Sequence, residues 1–200
     1  HFRQAVAGLS PEDLTRAARF EARLFGSLSA TGQGHRTDRA VMAGLLGQQP
    51  ETCDPKVMDR LADPQGRFDT VINGRTFAVS QETLVWDAVE HSYPYSNTLV
   101  MRLLDGQGQV LLEREYYSPG GGFFLWKDQP EERRGEPAHR FAGMAELRRV
   151  AETTGKSIPQ VMLENEMAVL GQDQAAVNAH LDLVLHTMVA GVDLGLKEEG

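Results

Sequence analysis

Cysteine is almost absent from this chain of 200 residues, and its scarcity excludes two kinds of architecture. The single thiol, Cys53, cannot form an internal disulfide. It cannot by itself supply the thiolates of a zinc or iron–sulfur site. Nothing near it in the sequence offers a base that would activate it, so we interpret Cys53 as inert. A lone free cysteine is typical of a reducing cytoplasm, where we expect the protein to reside.

Basic residues are also few, because 20 Lys and Arg stand against 28 Asp and Glu, for a net charge of −8. Phosphate binding needs a basic face, so we expect no nucleic-acid partner. No apolar run approaches the ~20 residues of a membrane span, and the start, HFRQAVAGL, does not resemble a signal peptide. We therefore expect no membrane association. The 41% of hydrophobic residues suffices for a core in one domain, or in one domain with an appendage.

The first 130 residues mix strand and helix patterns. Residues 18–25 alternate in polarity, which predicts a strand that buries Phe20, Ala22 and Leu24. A short strand is also predicted over residues 75–80. The segments NTLVMRLLD and QVLLEREYY flank DGQG at 105–108, which predicts a β-hairpin.

Helix starts in this region are recognised by a capping side chain or a proline in the first turn. Residues 26–35, which follow the first strand, are rich in Gly, Ser and Thr and are predicted to form a loop. Three helices are predicted in this region. The first begins at Ser10. The second has Thr37 or Asp38 as its N-cap and ends at Gly47, and the third runs from Asp54-Pro55 to Leu61.

After residue 143 the pattern is helical throughout. Helices are predicted over 144–154 with Gly155 as the stop, from Ser157 to Gly171, and over 174–196. The last carries few charges, which predicts burial on most sides for Val177, Leu181, Val184, Leu185, Met188 and Val192. The fold class is therefore α+β, a mixed sheet with helices followed by C-terminal helices. We expect a first domain at 1–130, a charged linker at 131–142, and helices over 143–200.

The segment GSLSATGQGHRTD, residues 26–38, is the first candidate site. It leaves a buried strand and enters a helix, and such turns lie at sheet ends, where open α/β folds bind ligands. Histidine is the side-chain type suited to general-base catalysis near neutral pH, which makes His35 a candidate base. The alternative is a loop histidine that caps or packs, with Asp38 as an ordinary N-cap. The segment is not a P-loop, because no Gly-Lys-Ser/Thr follows the glycines.

Two further segments carry weaker signals. Three consecutive glycines at 120–122 allow a ligand to approach the backbone, although a bulge or sharp turn explains them equally. Ser96-Asn97-Thr98 offers hydrogen-bonding groups at a strand start. The carboxylates of Glu164-Asn165-Glu166 lie on different helix faces, so a solvated surface is expected. His180 and His186 lie nearly on opposite faces of one helix and form no ligand pair by spacing.

Together these segments resemble the iron–sulfur type of bacterial L-serine dehydratase, over nearly the whole chain. Leu24 to Asp38 is similar to the family's LYGSL…TGKGHxTD, and Gly44 to Pro55 to its GLLG…PETVDP, with Cys53 where valine is usual. Asn97-Thr98 falls at its HPNTM segment, and Tyr116 to Phe123 resembles its YYSIGGGF. Glu164 to Glu166 falls on the NE of its linker helix, and Met188 to Gly200 on the run into its catalytic domain.

The resemblance implies a two-part enzyme. Its β domain is similar to the allosteric substrate-binding domain of some phosphoglycerate dehydrogenases, and a separate helical α domain carries the cysteines of a [4Fe–4S] cluster. An iron would bind the serine hydroxyl, and loss of water would give an aminoacrylate and then pyruvate and ammonia. The resemblance also implies a role in serine catabolism and gluconeogenesis.

The resemblance also assigns roles within this chain. His35 is the implied catalytic base, and the chain holds no metal ligand. The implied partners are L-serine, the catalytic α domain or chain, and further copies in a homo-oligomer. The residues implied to contact substrate are Thr31, Gly34, Asn97, Gly120, Gly121 and Gly122.

The chain departs from the family pattern in places. The upstream GPSSSHTVGPM signature is absent, because the chain begins just after where it would stand. Tyr95-Ser96 stands in place of His-Pro and Val100 replaces a frequent Arg, and these departures favour other interpretations. The alternative is a non-catalytic regulatory module that binds a small amino or hydroxy acid, and a third possibility is a domain for subunit assembly. Continuation of the gene beyond Gly200 into a cysteine-bearing helical domain would favour the enzyme.

Overall fold

The computed structural model describes residues 1–50, 52–54, 56–129 and 134–197. The chain divides into two compact units, His1–Gln129 and Pro130–Gly200. A mixed five-stranded sheet with helices, and helices alone after residue 143, confirm the predicted α+β class. The predicted linker at 131–142 begins with three residues outside the described part of the chain.

The elements of the two units follow in chain order. The first unit contains α1 (Phe2–Ala7), α2 (Pro11–Arg16), β1 (Ala17–Phe25), α3 (Ser27–Thr31), α4 (Thr37–Leu45), α5 (Val57–Arg60), β2 (Arg67–Ile72), β3 (Arg75–Ser80), a 3₁₀ turn (Gln81–Thr83), β4 (Leu84–Trp86), β5 (Thr98–Asp105), β6 (Val110–Gly120) and β7 (Phe123–Trp126). The second contains α6 (Met144–Thr154), α7 (Ile158–Leu170) and α8 (Gln174–Gly195).

The main sheet has the strand order β4-β1-β5-β6-β7, in which only the β1–β4 pair is parallel. Phe20 pairs with Leu103 and Ala22 with Met101, so the two central strands align their apolar residues on one face. This confirms the strand predicted over 18–25 and its buried residues. The hairpin around 105–108 is confirmed as β5 and β6.

The core of the first unit lies on this apolar face of the sheet. There α1, α4 and the β2–β3 hairpin supply the opposing layer, and the Phe20 and Phe77 rings lie 4.8 Å apart. Complete burial of an aliphatic or aromatic side chain of this size contributes about 1.5–3 kcal/mol. The fully buried members of the core with the largest side chains are Phe77, Leu24, Met42, Leu45, Leu61 and Leu103.

The two-stranded sheet reveals a strand that the sequence analysis missed. Beside the predicted strand at 75–80, β2 pairs with β3 through a two-residue turn at Asn73-Gly74. Both turn residues have positive φ, 47° and 79°, as a type I′ hairpin requires. Asn-Gly between alternating residues is a strong hairpin signal, so the sequence contained this information.

The helix predictions for the first unit are partly confirmed. Ser10 caps α2, because its Oγ accepts from the Asp13 N–H at 3.1 Å. The loop predicted over 26–35 is wrong in part, because it contains the short helix α3. Thr37 and Asp38 are not caps, because Arg36 precedes α4 in the left-handed conformation and Thr37 is already helical.

The helix predicted from Asp54-Pro55 is present in shortened form as α5. The Asp54 carboxylate accepts from the Lys56 N–H at 2.9 Å and so closes the turn before this helix. Pro55 itself lies outside the described residues. The predicted end is confirmed, since Leu61 follows the last helical residue.

The second unit has the helices that its caps predict. Gly155 and Gly171 follow α6 and α7 with φ of 67° and 63°, the left-handed conformation of a helix stop. Ser157 and Gln160 form a reciprocal capping box at the start of α7.

The burial predicted for α8 is wrong. Of its side chains only Val177 is buried, whereas Leu181, Leu185 and Met188 are more than half exposed. Among the described helices, α8 is the one long and apolar enough to cross a membrane by length and composition, with a mean hydropathy of 1.3. The sequence shows no unbroken apolar run here, because His and Asp residues interrupt the apolar ones.

Candidate functional site

Three of the sequence motifs meet at one end of the main sheet. Phe25, at the end of β1, pairs with Thr98 at the start of β5, and Thr98 pairs with Tyr117 near the end of β6. Beyond this row, the Ser118 N–H donates to the Asn97 carbonyl at 2.9 Å. We call this end of the sheet, where β1 and β6 finish and β5 begins, the site edge.

Gly26 turns the chain from β1 into α3 with a conformation that favours glycine, φ 59° and ψ −135°. A Cβ atom added there would lie 1.6 Å from the Ser96 carbonyl oxygen. The Gly26 N–H donates to the Ala88 carbonyl at 3.2 Å, and the Ser29 hydroxyl donates to the Asp87 carbonyl at 2.6 Å. These contacts tie the turn after β1 to residues 87–97, which we call the site loop.

His35 lies in the turn between α3 and α4, with an exposed side chain. Its N–H donates to the carbonyls of Thr31 and Gly32 at 3.3 and 3.2 Å. Gly32 is buried against Trp86, the last residue of β4, and a Cβ there would lie 2.8 Å from the indole. The turn is therefore anchored at the site edge, and it exposes Thr31 and Gly34 together with His35.

Residues 120–122 form the turn between β6 and β7, with φ of 103°, 65° and 82°. All three glycines are exposed, and a Cβ on Gly121 would meet only the Phe123 ring, at 3.4 Å. The strand β6 lies three positions from β4, which is roughly 14 Å at normal strand spacing. The glycines and His35 thus occupy different parts of the site edge, and ligand contact by the glycines stays a prediction.

Asn97 follows Ser96, whose carbonyl closely approaches Gly26 in the turn after β1. Its side-chain Oδ1 is buried and has no hydrogen-bond partner among the described residues. The neighbouring Thr98 hydroxyl donates to the Tyr95 carbonyl at 2.7 Å, which closes the site loop before β5. The Tyr95 ring packs on Tyr117, with 5.0 Å between ring centroids.

The tyrosines of this region are held in their neutral form. Burial, together with the hydrogen bond that its hydroxyl donates to the Glu115 carboxylate, raises the pKa of Tyr117 to about 12. Burial also raises the pKa of Tyr116 to about 12, and burial and the Glu115 charge raise that of Tyr93. All three therefore remain hydrogen-bond donors throughout the physiological range.

The sheet face opposite the core carries a chain of alternating charges. Asp87 pairs with Arg23 at 2.8 Å, and Arg23 with Glu21 at 3.5 Å. Arg102 then bridges Glu21 and Glu113 at 3.2 and 2.6 Å. The Ala88 N–H, together with Arg23, holds the pKa of Asp87 below its usual range. The two arginines are thus neutralised by acids of this chain.

In the second unit, the solvated surface predicted for Glu164-Asn165-Glu166 is wrong for Asn165, which is buried. Its Oδ1 accepts from the His139 N–H at 2.6 Å and its Nδ2 donates to the His139 carbonyl at 2.8 Å. Glu164 accepts from Lys156 and pairs with His139, and these hydrogen bonds lower its pKa. A lone Asn inside a helix of apolar residues was the available signal.

The described residues do not fit a metal or an iron–sulfur cluster. No group of three or more His, Cys, Asp or Glu in these ranges could hold a metal ion. Cys53 is half-buried, and its Sγ lies 3.5 Å from the Asp54 carbonyl. A cluster of four irons is typically held by three or four thiolates, which this chain does not contain.

Comparison with known proteins then decides the family. Residues 1–129, the whole of the first unit, match the family "Serine dehydratase beta chain". The chain belongs to this family. The resemblance inferred from the sequence motifs is thereby confirmed.

Named relatives support the same family. The chain is 34% identical over 203 residues to the L-serine dehydratase of Streptomyces coelicolor, with 94% of this chain and 43% of that protein covered. It is 28% identical over 200 residues to L-serine dehydratase 2 of Escherichia coli, with coverage of 94% and 42%. It is 33% identical over 184 residues to the L-serine dehydratase of Mycobacterium bovis, with coverage of 88% and 39%. The chain thus spans about two fifths of the length of these relatives.

Proposed function

We propose that this chain is the β-domain portion of an L-serine ammonia-lyase, which converts L-serine to pyruvate and ammonia. The observation that carries the proposal is the family match over the whole first unit. The geometry supports it, because the turn after β1 and the segment at Asn97 lie together at the site edge.

His35 is the proposed general base. Loss of water from serine requires removal of the weakly acidic α-proton, and a positioned imidazole suits this task near neutral pH. The ring is exposed while its backbone is hydrogen-bonded into the turn after α3. An anchored backbone with an accessible side chain lets the base reach a substrate bound outside the sheet.

Asn97 is proposed to bind the substrate. A buried oxygen without a partner costs about 1–3 kcal/mol, so its persistence at the site edge favours a ligand donor as its partner. The ammonium group of L-serine is such a donor. Thr31, Gly34 and the glycines at 120–122 are proposed to complete the substrate-facing surface.

We assign the ligands of the proposed [4Fe–4S] cluster to a separate catalytic domain or chain. The described residues do not fit the cluster, because no group of three or more His, Cys, Asp or Glu among them could hold a metal ion. The relatives are more than twice as long as the part matched by this chain, which leaves room for such a domain. We also propose a homo-oligomer in the cytoplasm, on the basis of the family resemblance and the lone cysteine.

The exposed helix α8 supports a catalytic partner. Its large apolar side chains lie on several faces, and an exposed apolar surface of this kind marks an interaction site. We propose that the catalytic domain covers α8, which explains why the helix is apolar in spite of its exposure.

The test of the proposed base uses the full-length protein. We expect His35→Asn and His35→Ala to lower kcat roughly 10²–10⁴-fold, as removal of a positioned base does. The visible absorbance of the cluster should remain, because no iron ligand is assigned to His35. Gln33→Ala, an exposed change in the same turn, is the control and should retain activity. If both His35 variants retained turnover, His35 would not be the general base, and the alternative of a loop histidine that caps or packs would hold.

The isolated chain provides a second test. We expect it to purify without colour and without serine dehydratase activity, because it lacks the thiolates of a cluster. In hydrogen exchange, residues 18–125 should be slow, because they contain the core, and residues 174–196 should be faster. A cluster bound to the isolated chain, or equal protection from exchange in residues 18–125 and 174–196, would contradict the proposal that a separate domain holds the cluster and covers α8.

A regulatory module remains the second candidate function. The observation that favours it is Tyr95, which packs on Tyr117 at the site edge where the family carries a histidine. This candidate predicts that the full-length protein binds L-serine in calorimetry without converting it. Turnover of L-serine by the wild-type protein would exclude it.

A further inference from the structure

His91 lies inside the site loop and uses both of its ring nitrogens there. Its Nδ1 accepts from the Tyr93 N–H at 3.2 Å, and its Nε2 lies 3.0 Å from the Ser96 carbonyl oxygen. A carbonyl only accepts, so Nε2 must carry the proton and Nδ1 must be the acceptor. The imidazole therefore joins two backbone groups of the same loop and fixes one tautomer.

The His91 ring also packs against the last residue of β1. The imidazole lies edge-on to Phe25, with centroids 5.7 Å apart and planes at 75°. The absence of a side chain at Gly26 makes room for this arrangement, because a Cβ there would lie 3.0 Å from His91 Nε2. Tyr93 packs against both rings, at 4.9 Å from Phe25 and 5.4 Å from His91.

The loop that His91 braces leads directly to the proposed substrate contact. Ser96, whose carbonyl receives the Nε2 hydrogen bond, immediately precedes Asn97. The Asn97 carbonyl is then fixed by the Ser118 N–H. Asn97 is thus held from both sides, by His91 through Ser96 and by β6 through Ser118.

We propose that His91 is a positioning residue for the serine site, which sets the place of Asn97 without touching substrate itself. This inference rests on the proposed function, in which Asn97 binds L-serine. The unpaired Oδ1 of Asn97 makes the position of this side chain matter, because an acceptor placed out of reach contributes nothing to binding.

The two hydrogen bonds can be separated by substitution. In full-length protein, His91→Phe keeps a ring against Phe25 and removes both bonds. His91→Asn keeps an acceptor at the position of Nδ1, and His91→Gln keeps a donor at the position of Nε2. We expect His91→Phe to raise the KM for L-serine about tenfold with little change in kcat, since it weakens ground-state binding. His91→Gln should recover more of the KM than His91→Asn, because the bond to Ser96 adjoins Asn97.

A double-mutant cycle tests whether His91 acts through Asn97. In an Asn97→Ala background, His91→Phe should add almost nothing to KM, whereas independent residues would give multiplicative effects. Multiplicative effects, or a fall in melting temperature with KM unchanged, would overturn the proposal.

Hydrogen exchange of the same full-length variants separates this inference from the proposed function. We expect His91→Phe to accelerate exchange in the peptide that contains Tyr93 and Asn97, and unchanged exchange would overturn the bracing role whatever the activity. A wild-type protein that does not convert serine would refute the proposed function instead. Isothermal titration with L-serine would then test the positioning role. We expect His91→Phe to bind L-serine more weakly than the wild-type protein, and equal affinities would refute the role.

Discussion

The Asp105 carboxylate accepts a 2.8 Å hydrogen bond from the Gln109 N–H across the turn between β5 and β6. The Gln107 N–H donates to the same oxygen at 2.9 Å, and Arg16 pairs with the other oxygen at 3.3 Å. The bond from Gln109 is the largest cause of a lowered pKa for Asp105, and the contacts to Gln107 and Arg16 add to it. The charged form of this side chain is therefore part of the hairpin.

The lowered pKa of Asp105 predicts a pH dependence of stability. A carboxyl with a lower pKa in the folded state stabilises the fold above its ordinary pKa of about 3.9, and the contribution is lost as the pH falls through the folded pKa. Asp105→Asn should therefore lower the melting temperature at pH 7, and the difference from wild type should shrink below about pH 4. Thermal melts between pH 7 and pH 2 measure it. Arg16→Gln, which removes only the ion pair, should have a smaller effect, and a constant difference for Asp105→Asn at all pH values would refute the prediction.

Arg36 is held in a left-handed conformation, φ 60° and ψ 26°, directly after His35. This conformation costs an L-residue with a Cβ about 1–2 kcal/mol, and glycine avoids most of the cost. Arg36→Gly should therefore raise the free energy of unfolding by up to about 1 kcal/mol. Arg36→Ala retains the strain and serves as the matched control, with no gain expected. Denaturant titration compares the two variants, and equal stability would show that the backbone there is unstrained.

Gly26 is expected to be intolerant of any side chain. Gly26→Ala would force its new Cβ against the Ser96 carbonyl and would strain a positive φ. Because the neighbouring atom is backbone, the site loop must move, and we expect a loss of at least about 2 kcal/mol in unfolding free energy. Gly44→Ala is the control, since a Cβ there meets open space in α4 and alanine favours helix. Equal melting temperatures for Gly26→Ala and the wild type would contradict the close approach.

Asn165 should stabilise residues 135–141 through its two bonds to His139. Asn165→Ala leaves the partly buried N–H and carbonyl of His139 without their Asn165 partners, which costs up to about 1–3 kcal/mol. Hydrogen exchange should show faster exchange at His139 than in wild type. Glu166→Ala, an exposed neighbour on the same helix, should leave this exchange unchanged. Equal effects of the two substitutions would indicate that Asn165 has no special role.

Comparing substitutions at Gly121 and Gly108 distinguishes backbone strain from a role of Gly121 in substrate binding. Gly121→Val and Gly108→Val both place a β-branched residue at a positive φ, 65° and 84°, at opposite ends of β6. Both should lower the melting temperature by similar amounts. Only Gly121→Val should also lower kcat/KM in the full-length protein, because Gly108 lies far from the site edge. Parallel losses of stability and activity in both variants would assign Gly121 to the turn alone.

Local patterns predicted most of the elements because each has a local cause. The alternation of Phe20, Ala22 and Leu24 reflects a strand with one buried face, and Gly155 and Gly171 stop helices wherever they stand. The burial of α8 could not be predicted in this way. Burial depends on a partner surface. An apolar helix sequence indicates that such a surface exists but does not show whether it belongs to the same chain. The apolar residues from Leu181 to Val192 therefore predict burial that the described residues do not provide.

The site shows the same limit at a finer scale. The motif around His35 and the segment at Asn97 were found separately, but the pairing of Phe25 with Thr98 that brings them to one edge joins residues distant in the sequence. The sequence pattern assigns no role to His91, because both hydrogen-bond partners of its ring nitrogens are backbone atoms. Every non-proline residue has the same backbone donor and acceptor, so hydrogen bonds to a loop backbone cannot be recognised from a pattern of residue types.

The position of β1 in the sheet has a consequence for biosynthesis. Ala22 pairs with Leu84 of β4 and with Met101 of β5, which are translated roughly 60 to 80 residues later. At synthesis rates of about 5–20 residues per second, both edges of β1 stay unpaired for roughly 3–16 s. The helix α1 is already made at that time, and its Phe2 ring contacts Phe20 at 6.2 Å in the finished fold. On the ribosome, α1 is thus available to cover the apolar face of this strand before β4 and β5 have been made.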